Sequence, residues 1–417
     1  MRDRAGKYAA LPLLCLSGAL CNCATAQSGG DQQDFALIDR GRYLTVAADC
    51  AACHDDPDGH HPFGGGRAIQ TPFGNVVAPN ITPDRETGIG AMTEAQFDAV
   101  LRRGKLPDGR NVYPAMPFPY YTRMSETDVR AIRAYLGTVA PVAHTVASDQ
   151  LPFPFRIRAS MWVWDALYFK QGDFKESPSQ SPQWNRGAYL VEGPGHCGAC
   201  HTPKGMLGGD KTDQALRGYS IQGWFAPDLT NDRPRGLADW SNEDIVEYLA
   251  SGHNRFAAAS GPMAEEVSHS SSQMRRADLE AIAVYLKNQA GATDNDKPLS
   301  PKDPVMVAGA AIYADLCSAC HKPDGSGVPY LFPDLAASAS VASREPTTLI
   351  RVVLEGAQSV ATAKEPTGPA MPAFGWQLND AQVAAVTTYV RNSWHHAAAA
   401  VSAGDVKEAR RTLNAAN

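Results

Sequence analysis

Apolar positions along the chain fall into short helical stripes, and the same stripes recur three times. Phe97, Val100 and Leu101 are matched by Ile245, Tyr248 and Leu249 and again by Leu349, Val352 and Val353. Their i, i+3, i+4 spacing predicts one buried face on a short helix. Gly104, Gly252 and Gly356 close the three segments, the residue type that accepts a left-handed C-cap, and Thr93 with Gln96 offers the first a capping box. A second stripe follows in each copy. Met124, Val129, Ile132, Tyr135 and Leu136 register without gaps on Met274, Leu279, Ile282, Tyr285 and Leu286, and on Leu378, Val383, Val386, Tyr389 and Val390. Ahead of both stripes stand three helix-like segments, RGRYLTVAADCAACH, RGAYLVEGPGHCGACH and GAAIYADLCSACH. The chain therefore reads as three copies of one all-α domain, at residues 34–140, 184–292 and 305–397. A copy of about 100 residues has a thin core of its own. A large apolar cofactor at its centre would supply the missing volume.

Composition narrows the function classes. The 417 residues are 44% hydrophobic and 20% charged, with Gly 36 and Pro 30, which excludes a disordered or fibrous chain. Lys plus Arg is 38 against 44 for Asp plus Glu, a net −6 without the basic footprint of a nucleic-acid binder. The N-terminus opens on a basic MRDRAGK, continues in the apolar YAALPLLCLSGALC and reaches Ala24-Thr25-Ala26. Residues 1–26 thus read as a secretory signal cleaved after Ala26, whose loss leaves −8. The apolar run of about 14 residues is shorter than the roughly 17–25 that cross a bilayer; a retained anchor is the competing reading.

The cysteines carry the chemistry. Three of nine (Cys15, Cys21, Cys23) lie in the signal, and the other six form the pairs Cys50/Cys53, Cys197/Cys200 and Cys317/Cys320. Each pair encloses two residues and is followed at once by a histidine: His54, His201 and His321. Cys-x-x-Cys-His is the attachment signature of c-type haem. The two sulfurs add to the haem vinyl groups from one helical turn, and the histidine is aimed at the iron. A zinc ribbon needs two such pairs close in sequence, whereas these are 147 and 120 residues apart. A thiol redox pair requires neither the histidine nor three copies.

The sixth ligand separates electron transfer from chemistry at iron. Met116 in PAMPF, Met263 in GPMAE and Met371 in PAMPAF all lie between the last two helices of a copy. They follow their histidines by 62, 62 and 50 residues. The proline flanks suit an extended loop that presents a thioether across the haem; three core methionines are the plainer reading. Met124 and Met274 align with Leu378 and read as core. His/Met ligation raises the reduction potential and leaves no open coordination position. No dinucleotide fingerprint, phosphate loop or catalytic triad stands in the sequence.

Beyond the haem motifs, PNITPDRETGIG and GRNVYPAMPFPYYTRMSETDV in the first copy, APDLTND and GLADWSNEDIVEYLASGHN in the second, and AMPAFGWQLNDAQVAAVTTYVRNSW in the third carry a resemblance. Over nearly all of the mature length the chain resembles the trihaem cytochrome c subunits of bacterial membrane-bound dehydrogenases. These serve quinoprotein alcohol dehydrogenases and flavin-dependent gluconate and sorbitol enzymes, and related cytochromes serve molybdenum-containing oxidoreductases. The resemblance implies three tandem class I cytochrome c-like domains and three covalently bound haem c groups. It implies attachment through Cys50, Cys53, Cys197, Cys200, Cys317 and Cys320, proximal ligation by His54, His201 and His321, and distal ligation by Met116, Met263 and Met371. The implied partners are a quinoprotein, flavoprotein or molybdenum dehydrogenase subunit, ubiquinone, and the surface of the inner membrane on its periplasmic side. A multihaem peroxidase, a free periplasmic shuttle and a terminal-oxidase subunit are the alternatives.

Residues 141–183 have no counterpart between the second and third copies and contain the aromatic MWVWDALYF. Packing across two haem domains is one reading of this linker, and docking to the dehydrogenase or the membrane is the other. The segment 398–417 reads as a solvated tail with a short helix. His60, His61, His253, His395 and His396 read as solvated. His196 reads as a loop histidine, with a hydrogen bond to a haem propionate as its functional alternative.

Overall fold

In every copy the first helix crosses the last at a glycine, and the remaining elements are hung on that crossing. The structure, a computed structural model, describes residues 34–292 and 296–416; the signal sequence lies outside the described residues. The opening helices are Phe35–Ala47, Pro182–Glu192 and Pro304–Leu316, and they pack on the closing helices Glu126–Leu136, Arg276–Leu286 and Asp380–Val390. A Cβ at Gly41, Gly187 or Gly309 would stand 1.9, 1.9 or 2.2 Å from the carbonyl oxygen of Ala131, Ala281 or Ala385. Only glycine admits so close a backbone approach. The Cβ atoms of Tyr135, Tyr285 and Tyr389 lie beside the same three points. The tyrosines were legible as a repeat in the sequence, but the glycines they pack against were not singled out.

Between these helices each copy inserts a haem-motif helix (Cys50–His54, Gly198–His201, Ser318–His321) and a middle helix (Glu94–Arg103, Asn242–Ser251, Thr347–Glu355). The middle helices end as expected on Gly104, Gly252 and Gly356, at φ of 61°, 85° and 74°. The Thr93–Gln96 capping box forms, and Ser241 with Asp244 builds a second. The fold is mostly helical, with three antiparallel hairpins added: Ala68–Thr71 with Gly74–Val77, Arg217–Ile221 with Trp224–Asp228, and Ala357–Gln358 with Ala370–Met371. Gln222 and Gly223, both at positive φ, close the second. Strands this short leave no readable alternation.

Two solvated assignments are overturned. The described part of the expected tail, residues 398–416, is not free: the helix Ala403–Ala416 lies on the third copy, with Val401, Val406 and Leu413 buried in its core. Arg410 fastens it further, donating to the carbonyls of Gly375 at 2.8 Å and Leu378 at 2.6 Å and to Asp380. Three apolar anchors among alanines and charges are too sparse to announce burial. His253 and His396 are also interior, at 5% and 2% exposure. His396 Nε2 donates to the Leu335 carbonyl at 2.8 Å, and the His253 backbone bridges to Ala258. His60, His61 and His395 are exposed as expected.

Candidate functional site

All twelve residues singled out by the repeat line one continuous cavity of about 2570 Å³ that runs through the three copies. A pocket for one small ligand is roughly 300–1,000 Å³, so the space suits several large groups. Cys50, Cys53, His54 and Met116 border it in the first copy, Cys197, Cys200, His201 and Met263 in the second, and Cys317, Cys320, His321 and Met371 in the third. None of the six cysteines is engaged in a disulfide.

The histidines are held alike. His54 Nδ1 donates to the Pro79 carbonyl at 2.8 Å, His201 Nδ1 to Pro227 at 2.7 Å and His321 Nδ1 to Pro333 at 3.1 Å. A carbonyl only accepts, so each Nδ1 carries the hydrogen and each Nε2 keeps a lone pair for a metal. Burial keeps the rings neutral, pushing His201 down to about 4 and lowering His54 and His321 in the same direction. The residue after each proline braces the carbonyl's loop. Asn80 Oδ1 accepts from Thr82, Asp228 Oδ1 from Thr230 and Asp334 Oδ1 from Ala337. A Pro-Asn or Pro-Asp pair recurs once per copy behind the haem motif, at Pro79-Asn80, Pro227-Asp228 and Pro333-Asp334, and that recurrence is the sequence signal for the proline role.

The thiols are unlike those of a redox pair. Burial pushes Cys53 and Cys317 up to about 11 and Cys197 up to about 12, whereas reactive cysteine pairs are shifted downward. No group of three or more His, Cys, Asp or Glu among the described residues forms a metal cage. A buried cation supplies a further fit to a bound haem. Arg391 is fully buried at 0% exposure and lines the cavity; its Nη2 donates to the Arg344 carbonyl at 3.3 Å, while its Nε and Nη1 meet no partner. A buried guanidinium with two donors unpaired is costly, and a carboxylate on the edge of a haem would answer them.

The methionines are presented in three ways. Met116 sits in a turn, its amide donating to the Tyr113 carbonyl at 3.1 Å. Met263 stands in the first turn of a helix, Pro262–His269, and Met371 ends a hairpin strand. The expected extended loop therefore does not describe Met263, because Pro262 initiates a helix there. Met124 is fully buried and Met274 packs on the second core; both also reach the cavity wall. His196 is turned inward, its ring 5.6 Å from that of Tyr121.

The linker packs across the first two copies through part of its helix. Its helix, Met161–Tyr168, buries Trp164, whose Nε1 donates to the Leu207 carbonyl at 2.9 Å and whose ring meets Phe118 of the first copy. Tyr168 fills the space over Gly209. This half spans two copies. Of the rest, Val163 and Leu167 border the cavity, while Trp162 at 66% exposure, with the Lys105 ammonium 4.9 Å over its ring, and Phe153 stand at the surface.

The family model for cytochrome c matches residues 38–140, 185–290 and 306–394. The chain is 40% identical over 403 residues to the gluconate 2-dehydrogenase cytochrome c subunit of Pantoea cypripedii, covering 91% of each. It is 36% identical over 408 residues to the cytochrome c subunit of the quinone alcohol dehydrogenase of Gluconacetobacter polyoxogenes, covering 93% of this chain and 87% of that one. Against the fructose dehydrogenase cytochrome subunit of Gluconobacter japonicus the identity is 37% over 403 residues, covering 89% and 82%.

Proposed function

The chain belongs to the family of cytochrome c subunits of gluconate, alcohol and fructose dehydrogenases, and on that footing we propose that it carries electrons from the catalytic subunit of such a complex to ubiquinone. The observation that carries the reading is the single cavity lined by three Cys-x-x-Cys-His motifs and three methionines. A c-type haem supplies reversible one-electron chemistry when bound. The cysteine pairs would hold each haem through thioethers, leaving the porphyrin no freedom to dissociate. His54, His201 and His321 would present Nε2 to iron, their orientation set by the proline carbonyls. Met116, Met263 and Met371 would each supply a thioether to the iron, a ligand that keeps peroxide and oxygen off the metal and raises the potential. Apolar walls exclude water, so gaining or losing an electron calls for little rearrangement. Substrate oxidation itself belongs to the partner.

No helix among the described residues is long and apolar enough to cross a membrane. We place the protein on the periplasmic face of the inner membrane, held peripherally, and assign the exposed Trp162 and Phe153 to that attachment, since exposed tryptophan favours the headgroup region. Changing Trp162 and Phe153 to serine should release the complex from membranes with haem content intact; unaltered retention would overturn the assignment. The wider reading is tested by purifying the chain from its native membrane and identifying the large subunit that accompanies it. A flavin, quinoprotein or molybdenum dehydrogenase is expected. Recovery of the cytochrome alone would favour a free shuttle.

A further inference from the structure

The first two copies share a contact that the third does not. Asp128 and Asp278 occupy the same register position in the closing helices and are buried at 1% and 7% exposure. Within its own copy each accepts from the arginine one residue before the crossing glycine, Arg40 for Asp128 and Arg186 for Asp278. Each also accepts from the other copy. Tyr43 of the first donates to Asp278 of the second, and Tyr189 of the second donates to Asp128 of the first. The exchange is reciprocal, residue for residue, as at an interface with two-fold symmetry. In the third copy the arginine, tyrosine and aspartate positions hold Ala308, Ala311 and Gln382, so it has no such exchange to offer.

The same relation extends to the haem motifs. Arg67 donates to the Ala52 carbonyl inside the first motif at 2.6 Å and to Glu265, two residues past Met263, at 2.7 Å. In the opposite sense Tyr120, four residues past Met116, reaches Asp210 and lies against Gly198 inside the second motif. His196, next to Cys197, rests on Tyr121. Each attachment turn thus faces the distal-methionine segment of its neighbour. The third copy joins the second elsewhere, through Thr348 on the Phe225 backbone and the Arg351 guanidinium 4.6 Å over the Trp224 ring.

We propose that the Tyr43–Asp278 and Tyr189–Asp128 hydrogen bonds are a latch that clasps the first two attachment turns together, so that the first and second haems act as one coupled pair and the third as a separate carrier. The four are positioning residues, and the proposal rests on the haem reading above. The test uses the full-length holoprotein with Tyr43→Phe and Tyr189→Phe, singly and together, and reads haem content, Soret circular dichroism and amide exchange. Two close porphyrins give a split Soret couplet. Each hydroxyl removed from a carboxylate should raise exchange across residues 48–54 and 196–202 roughly tenfold, weaken the couplet, and leave residues 317–322 and the three haems unchanged. Fewer than three haems in the parent protein would overturn the haem reading itself. A fully loaded double variant with an unchanged couplet and unchanged exchange would overturn the latch alone. Equal loss of the couplet from Thr348→Val, at the second–third contact, would also overturn it.

Discussion

Replacing Gly187 with alanine probes the crossing that organises each copy. The new Cβ would lie 1.9 Å from the Ala281 carbonyl oxygen and 2.9 Å from the Tyr285 Cβ. The first distance is about 1 Å inside the closest approach that packed carbon makes to backbone oxygen. Neither neighbour is a flexible chain end, so relief requires the opening and closing helices to part. Overpacking of a rigid core costs about 1–3 kcal/mol, and a backbone clash of this depth belongs at the upper end. For a domain of roughly 100 residues, 3 kcal/mol lowers the melting temperature by about 12–24 °C. Gly172→Ala is the matched control, because its added Cβ meets nothing within 4 Å, and it should stay within about 0.5 kcal/mol of the parent. Calorimetry of both variants decides the matter. A Gly187→Ala protein that melts with the control would refute the crossing as the frame of the fold.

Replacing Met371 with alanine should remove one third of the sulfur-to-iron charge-transfer absorption and lower one of three potentials; an unchanged spectrum would remove Met371 from the ligand set. Leu413→Ala should destabilise the third copy by about 2–5 kcal/mol in denaturant titration, since Leu413 is part of its core, whereas a solvated tail would tolerate it. Acid should weaken the second copy. Burial alone would raise Asp278, but the donors Arg186 and Tyr43 outweigh it and hold the carboxyl below its ordinary 3.8. Arg255 and Ser241 do the same for Asp244 against its own burial. Depressed carboxyls stabilise the fold above their unfolded value, and that stability is lost as pH falls through the folded one. Asp278→Asn and Asp244→Asn should therefore flatten the stability profile below about pH 4, measured by thermal melts across the acid range.

The repeat made the architecture legible because each copy presents the same buried face, and buried faces leave a periodic trace. Tyr135, Tyr285 and Tyr389 recur in register, and Gly104, Gly252 and Gly356 recur as caps. The haem motifs were legible because covalent attachment permits little variation in spacing. Contacts made by backbone carbonyls were harder to read. Pro79, Pro227 and Pro333 act on the histidines through an oxygen that every residue has, so their identity signals turn geometry and not ligation. The burial of His253, His396 and the Ala403–Ala416 helix was hidden because it depends on what a distant segment covers. The Tyr43 and Tyr189 exchange was invisible for the same reason: each tyrosine acts on the other copy.

Reduction of all three haems through the native complex tests the account most directly. The chain, purified with its dehydrogenase, is mixed with that enzyme's substrate under anaerobic conditions and then with a soluble ubiquinone. Three covalent haems per chain should be reduced by the substrate and reoxidised by the quinone, with no turnover of peroxide. Haems that stay oxidised while the dehydrogenase consumes substrate with an artificial acceptor, or a chain carrying fewer than three, would contradict it.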